Sequence, residues 1–156
     1  MKLGITGHQN LPPQVITEIK GAIRNLASVE QICLVGSLAV GADQVAAEEV
    51  LLQGGLLEVV VPCDRYESIF ADGSSLETYQ RLIAQATAVS VLPFPEPSEA
   101  ALMAARVVVV ERSDQVLAAW DGEPSRGLGG NSDVVRYAKR EHKPVTNVWP
   151  RGLERE

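Results

Sequence analysis

The stretch Lys2-Leu3-Gly4-Ile5-Thr6-Gly7-His8-Gln9-Asn10, continued by Leu11-Pro12-Pro13, decides the fold. Leu3–Thr6 does not alternate apolar with polar residues, which suits a strand covered on both faces. It runs directly into a glycine and small polar residues. Pro12-Pro13 then marks a helix start, where proline is tolerated because its missing N–H would have no partner there. Ile16, Ile19, Lys20 and Ile23 follow at three- and four-residue spacing, so a helix over Pro13–Ala27 carries one largely apolar stripe.

The same order of strand, small-residue loop and helix continues along the chain. Further strands are predicted at Ile32–Val35, Leu57–Val61, Ala88–Phe94, Gln115–Trp120 and Val145–Val148. Helices are predicted at Asp43–Gln53, Ser75–Ala86, Ser98–Arg112 and Asn131–Glu141. Val107–Val110 is a β-branched run that suits a strand, but its Ala-rich approach and the length of the segment favour a helix. Alternating strands and helices with short connections imply an α/β fold, a single doubly wound, Rossmann-like and mainly parallel sheet with helices on both faces. Residues 1–150 form the expected domain, and 151–156 a charged tail expected to fray. Pro93–Pro97 ends a strand and does not separate domains.

A chain of 156 residues fits one domain. Its 46% apolar and 22% charged residues exclude a disordered tail, a collagen-like repeat and a coiled coil. Aromatics are only 4%, so Ala, Val, Leu and Ile must build the core. No apolar run approaches the roughly 18 residues of a membrane span, and no signal-peptide pattern opens the chain; a soluble, cytoplasmic protein without membrane contact is expected. Twenty acidic against fourteen basic residues give a net charge of −6, whereas nucleic-acid binders usually carry a basic footprint. The run Arg136–Arg140, with His142 and Lys143, reads as a solvated helix face. Cys33 and Cys63 lack CxxC spacing and read as buried free thiols. His8 and His142 have no companions at ligand spacing, so neither a metal nor a cofactor is expected.

Small residues cluster after three of the strands: Gly7-His8-Gln9-Asn10, then Gly36-Ser37-Leu38-Ala39-Val40-Gly41-Ala42-Asp43, then Asp121-Gly122 through Gly129-Gly130-Asn131-Ser132. In a parallel sheet these loops emerge together at the carboxyl edge, where open α/β sheets bind ligands. The second and third run into helices whose free N–H groups and dipole favour an anion. Gly7, His8, Gln9, Asn10, Gly36, Ser37, Gly41, Ala42, Asp43, Gly129, Gly130, Asn131 and Ser132 are therefore candidates for a phosphate-bearing ligand. Asp43 and Asp121 could accept from ribose hydroxyls or base amino groups. Arg65, just past the third strand, could pair a phosphate. Tyr66 either stacks on a base or packs half-buried at a helix start. Trp120 reads as core, and His8 as a residue that orients its loop through a backbone hydrogen bond. In the competing reading the glycines only make turns and Asn131 only caps a helix. There is no GxxxxGK[ST], no GxGxxG after the first strand and no GxSxG.

Gly4-Ile5-Thr6-Gly7-His8-Gln9-Asn10-Leu11 resembles the GxTGHR-N-L opening of the SLOG superfamily, which includes DNA-processing protein A (Smf) and the LOG, or "lysine decarboxylase-like", phosphoribohydrolases. Ser37–Asp43, with Ala46-Ala47 and Leu51, is similar to the S-G-x-A-x-G-x-D-xx-A element of DNA-processing protein A. Ser113-Asp114, Ala119-Trp120-Asp121-Gly122 and Gly129-Gly130 resemble a later stretch common in these proteins. The likeness covers nearly the whole chain. It implies a Rossmann-like fold, self-association and binding of a nucleotide or nucleotide-derived ligand. Two alternatives follow from it: single-stranded DNA binding in recombination, and N-glycosidic bond cleavage. Two departures bear on those. The LOG glutamate of PGGxGTxxE falls on Val134, leaving Asp121 and Asp133 as acid–base candidates, and Asp133 is rotated by about 100° on a helix. The arginine usual in the glycine-rich element of DNA-processing protein A is Val40.

Overall fold

A computed structural model describes residues 1–124 and 130–154. Its strands are β1 Lys2–Gly7, β2 Cys33–Gly36, β3 Leu56–Val61, β4 Ala88–Val91, β5 Gln115–Ala119 and β6 Val145–Asn147. Its helices are α1 Pro13–Ala27, α2 Ala42–Leu52, α3 Gly73–Ile83, α4 Glu99–Arg112 and α5 Asn131–Arg140. The six strands form one sheet in the order β4-β3-β2-β1-β5-β6, and every pairing is parallel. The chain steps outward from β1 to β4 and then crosses back to β5, so the direction of winding reverses between β1 and β5. Such a switch point opens a crevice at the carboxyl ends of the strands.

The continuous apolar runs are explained by the two covered faces. Leu34, Leu57, Val59 and Leu117 enter one core with Val15, Ile19 and Ile23 of α1, Ala46 and Val50 of α2, and Leu82 of α3. Their chain neighbours face the other way. Val35 and Val60 meet Ala105 and Val109 of α4, and Val116 meets Val110, Val134 and Ala138 between α4 and α5. Burial also settles the valine run 107–110 as helix, because Val109 and Val110 are needed against the sheet and such packing overrides a modest β preference. Ser98 caps α4 by accepting from the Ala101 N–H at 3.0 Å.

The boundaries differ from expectation where side chains intervene. The third helix starts at Gly73, two residues early, because Asp72 caps it by accepting from the Ser75 N–H at 2.7 Å. Strand β4 stops at Val91, short of Phe94, because the Phe94 N–H turns back to the Leu92 carbonyl. Strand β5 stops at Ala119: the Trp120 N–H goes to Asn147 Oδ1. A short 3₁₀ turn over Tyr66–Ile69 was not anticipated. Trp120 is only partly buried, its indole donating to the Glu123 carbonyl. The buried tryptophan is Trp149, whose indole N–H reaches the Leu153 carbonyl at 2.7 Å. Leu153 packs on the main core, so the expected fraying does not begin at Arg151. Cys63 is buried, whereas Cys33 is partly exposed; both thiols are free.

Candidate functional site

The loop after β1 and the start of α2 are locked together. A Cβ on Gly7 would meet the Ala42 and Ala119 side chains, and Gly41 has φ +93°, with the His8 and Gln9 carbonyls where its Cβ would be. Only glycine accepts that backbone without strain. The Ala42 N–H, one of the first in α2, donates to the His8 carbonyl at 3.2 Å. Asp43, one residue on, turns its carboxylate back over its own loop, and Oδ2 accepts from the Ser37 N–H at 3.2 Å. Leu38 in between has φ +57°, a sparsely populated conformation for a branched residue. Burial pushes the Asp43 carboxyl up from 3.8 to about 6, partly offset by the Arg106 guanidinium and by the backbone N–H groups of Ser37, Leu38 and Ala39. The loop after β2 has thus wrapped its donors around an anion the protein supplies itself.

Asp43 lines a cleft of about 40 Å³ with Thr6, Gln9, Ser37, Tyr66 and Arg106. Arg106 comes from α4, on the opposite face of the sheet. Ser37 is 9% and Tyr66 1% exposed, yet Ser37 Oγ and the Tyr66 hydroxyl have no hydrogen-bond partner among the described residues. A buried polar group left without a partner costs about 1–3 kcal/mol, so two of them at one cleft mark a place built for something else. Tyr66 is held rigidly, edge-on to Phe70 and Tyr79. Its phenol is held above the ordinary range by burial and by the neighbouring Asp43 carboxylate.

The second constellation sits at the switch point itself. Thr6 Oγ1 donates to Asn131 Oδ1 at 2.6 Å, and Asn131 Nδ2 faces His8 Nδ1 at 3.0 Å. With Asn131 Oδ1 engaged by Thr6, its amide donates towards Nδ1, and His8 Nε2 lies 3.2 Å from Asp121 Oδ1. The Asp121 N–H also approaches Nε2, at 3.3 Å, and Trp149 packs edge-on to the imidazole. His8 therefore ties β1 to the loop after β5 and to the first residue of α5. Gly130 precedes that helix as its cap residue, and the first N–H groups of any α-helix lack intrahelical acceptors.

The expected site residues divide accordingly. Gly7, His8, Gln9, Gly36, Ser37, Gly41, Ala42, Asp43, Asp121, Gly130, Asn131 and Ser132 all lie at the carboxyl edge. Gly129 lies outside the described residues. Asn10 is exposed. Asp133 stands in the first turn of α5, while Val134 is buried against Val110 and Val116 and faces the core. Arg65 is not brought to this cleft: it is exposed, pairs with Glu96 at 3.2 Å, and lines a separate groove of about 520 Å³ with Val89 and Val91. Tyr66 is fully rather than half buried. Thr6, Trp149 and Arg106 were not anticipated. Arg106 had a signal, as the one charge in Ala100–Val110.

No family model matches the chain, and no curated protein matches it. Solved structures do. A single-stranded-DNA-binding DNA processing protein A from Helicobacter pylori superposes with a TM-score of 0.77 at 21% identity, over 100% of this chain and 68% of that one. The chain shares the Rossmann-like fold of these structures. DNA processing protein A from Streptococcus pneumoniae matches with a TM-score of 0.70 at 19% identity, over 92% of this chain and 48% of its own. A molybdenum cofactor binding protein from Rippkaea orientalis matches with a TM-score of 0.61 at 18% identity, over 92% of this chain and 73% of its own. Among the described residues, no helix is long and apolar enough to cross a membrane.

Proposed function

We propose that this SLOG-type chain binds a nucleotide or nucleotide-derived phosphate ligand at the carboxyl edge of its sheet. The observation that carries the reading is the convergence, on one edge, of a helix start and a cleft with two orphaned hydroxyls. The phosphate seats at the start of α5, on Gly130, Asn131 and Ser132, where the first N–H groups of a helix and its dipole favour an anion. The α2 start is a poorer phosphate site, because the Ala42 N–H serves the His8 carbonyl and Asp43 brings its own negative charge. The loop Gly7–Asn10 stands between the two and covers the sugar or base.

N-glycosidic cleavage is the weaker reading: the glutamate position of the LOG motif is Val134, facing the core, and Asp121 is engaged by His8. Single-stranded DNA fits the net charge of −6 poorly, since phosphate contacts supply most such affinity.

A thermal-shift panel of AMP, ADP-ribose, cyclic nucleotides and a single-stranded oligonucleotide tests the reading. A ligand at a hundred times its dissociation constant stabilises by about 2.7 kcal/mol, roughly 5–10 °C at this size. The expected result is a shift of that order with a mononucleotide, lost in Gly130→Val. No shift with any phosphate-bearing ligand contradicts it.

A further inference from the structure

The cleft beneath the β2–α2 loop differs in chemistry from the start of α5. We propose that it takes a vicinal diol, so that the ligand's pentose hydroxyls seat on Ser37, Asp43 and Tyr66. The inference rests on the nucleotide reading and refines it by assigning the second glycine-rich loop to the sugar.

Three observations converge. The loop's donors are already spent: the Ser37 N–H is on Asp43 and the Ala42 N–H on the His8 carbonyl, so an incoming anion finds a carboxylate and not a nest of N–H groups. The space is small. The cleft measures about 40 Å³ and is lined by Ser37, Asp43, Tyr66 and Arg106. The unsatisfied groups have the right character. Ser37 Oγ and the Tyr66 hydroxyl are each both donor and acceptor, they are more than nine-tenths buried, and both lack a partner among the described residues. Two adjacent hydroxyls could satisfy both and donate to the Asp43 carboxylate, which lies beside the Arg106 charge. Thr6 connects the two halves, because it lines this cleft and also hydrogen-bonds Asn131 at the start of α5.

The test compares calorimetric titrations of ribose 5-phosphate with 2-deoxyribose 5-phosphate, and of AMP with 2′-deoxy-AMP, on the wild-type chain and on Tyr66→Phe and Ser37→Ala. Tyr66→Phe removes one oxygen and keeps the ring packing. The expected result is at least tenfold tighter binding of each ribo ligand. The variant that removes the partner of the 2-hydroxyl brings that preference towards unity, and the one that removes the partner of the 3-hydroxyl weakens ribo and deoxy ligands together. Equal affinity for ribo and deoxy ligands in the wild type overturns the diol assignment and leaves the nucleotide reading standing. Retention of the full ribo preference in both variants also overturns it. Failure of all four ligands to bind overturns both.

Discussion

Asp43 carries the clearest consequence at the scale of a single residue. Its carboxyl titrates near 6 in the folded chain, against 3.8 for the ordinary group, so the folded state holds the proton more tightly than the unfolded state. Stability is therefore greatest below the unfolded value, falls as pH rises from about 4 to about 6, and stays lowered above that. The change is on the order of 3 kcal/mol for a shift of this size. Urea unfolding of wild type and Asp43→Asn across that range should show the falling limb in the wild type and its loss in the variant; parallel curves would contradict the assignment. Asn131 makes a second prediction. Asn131→Ala would leave Thr6 Oγ1 and His8 Nδ1 without their partner, and should cost about 1–3 kcal/mol in the same measurement. At this scale the sequence was partly legible. His8, Ser37, Asp43 and Asn131 stood out as polar residues in glycine-rich loops. Tyr66 was legible only as a ring at a helix start and Arg106 only as the one charge in Ala100–Val110; their meeting at the cleft arises through tertiary packing, of which spacing along the chain carries no trace.

Among the elements, the β1–α1 and β2–α2 loops behave as one unit. Gly41 has a positive φ and lies against two carbonyls, so Gly41→Ala should destabilise by about 2–3 kcal/mol, whereas Gly21→Ala, in open space within α1, should stabilise by up to about 1 kcal/mol. Thermal unfolding of both variants checks the contrast, and equal effects would contradict it. The glycines that announced a ligand loop thus have a packing duty, which a sequence alone does not distinguish from binding. All six strands and five helices were readable: two-sided burial leaves continuous apolar runs in β1, β2, β3 and β5, the largely exposed edge strands β4 and β6 continue the alternation, and the helices fill the gaps between them. Their ends were less so, because Asp72, Asn147 and the turn at Leu92–Phe94 set them by hydrogen bonds that periodicity does not encode.

For the whole molecule, the strand order places the loops Gly7–Gln9 and Gly36–Asp43 and the start of α5 on one edge, near a single reversal of winding. The fold is shared with proteins that bear quite different ligands in their descriptions, so the chemistry of this edge, and not the fold, must select the ligand. Net charge weighs on that choice. At −6, the chain should bind a single-stranded oligonucleotide weakly at low salt and not at all near physiological salt, as fluorescence anisotropy would register; tight binding falling steeply with salt would favour the DNA reading. The most direct test of ligand binding at the carboxyl edge is an amide NMR titration of the isotope-labelled chain with AMP. The account predicts saturable shifts concentrated in Gly7–Gln9, Ser37–Ala39 and Gly130–Ser132, with the Arg106 side chain responding. Shifts confined to the groove beside Arg65, Val89 and Val91, or no shifts at millimolar ligand, would contradict it.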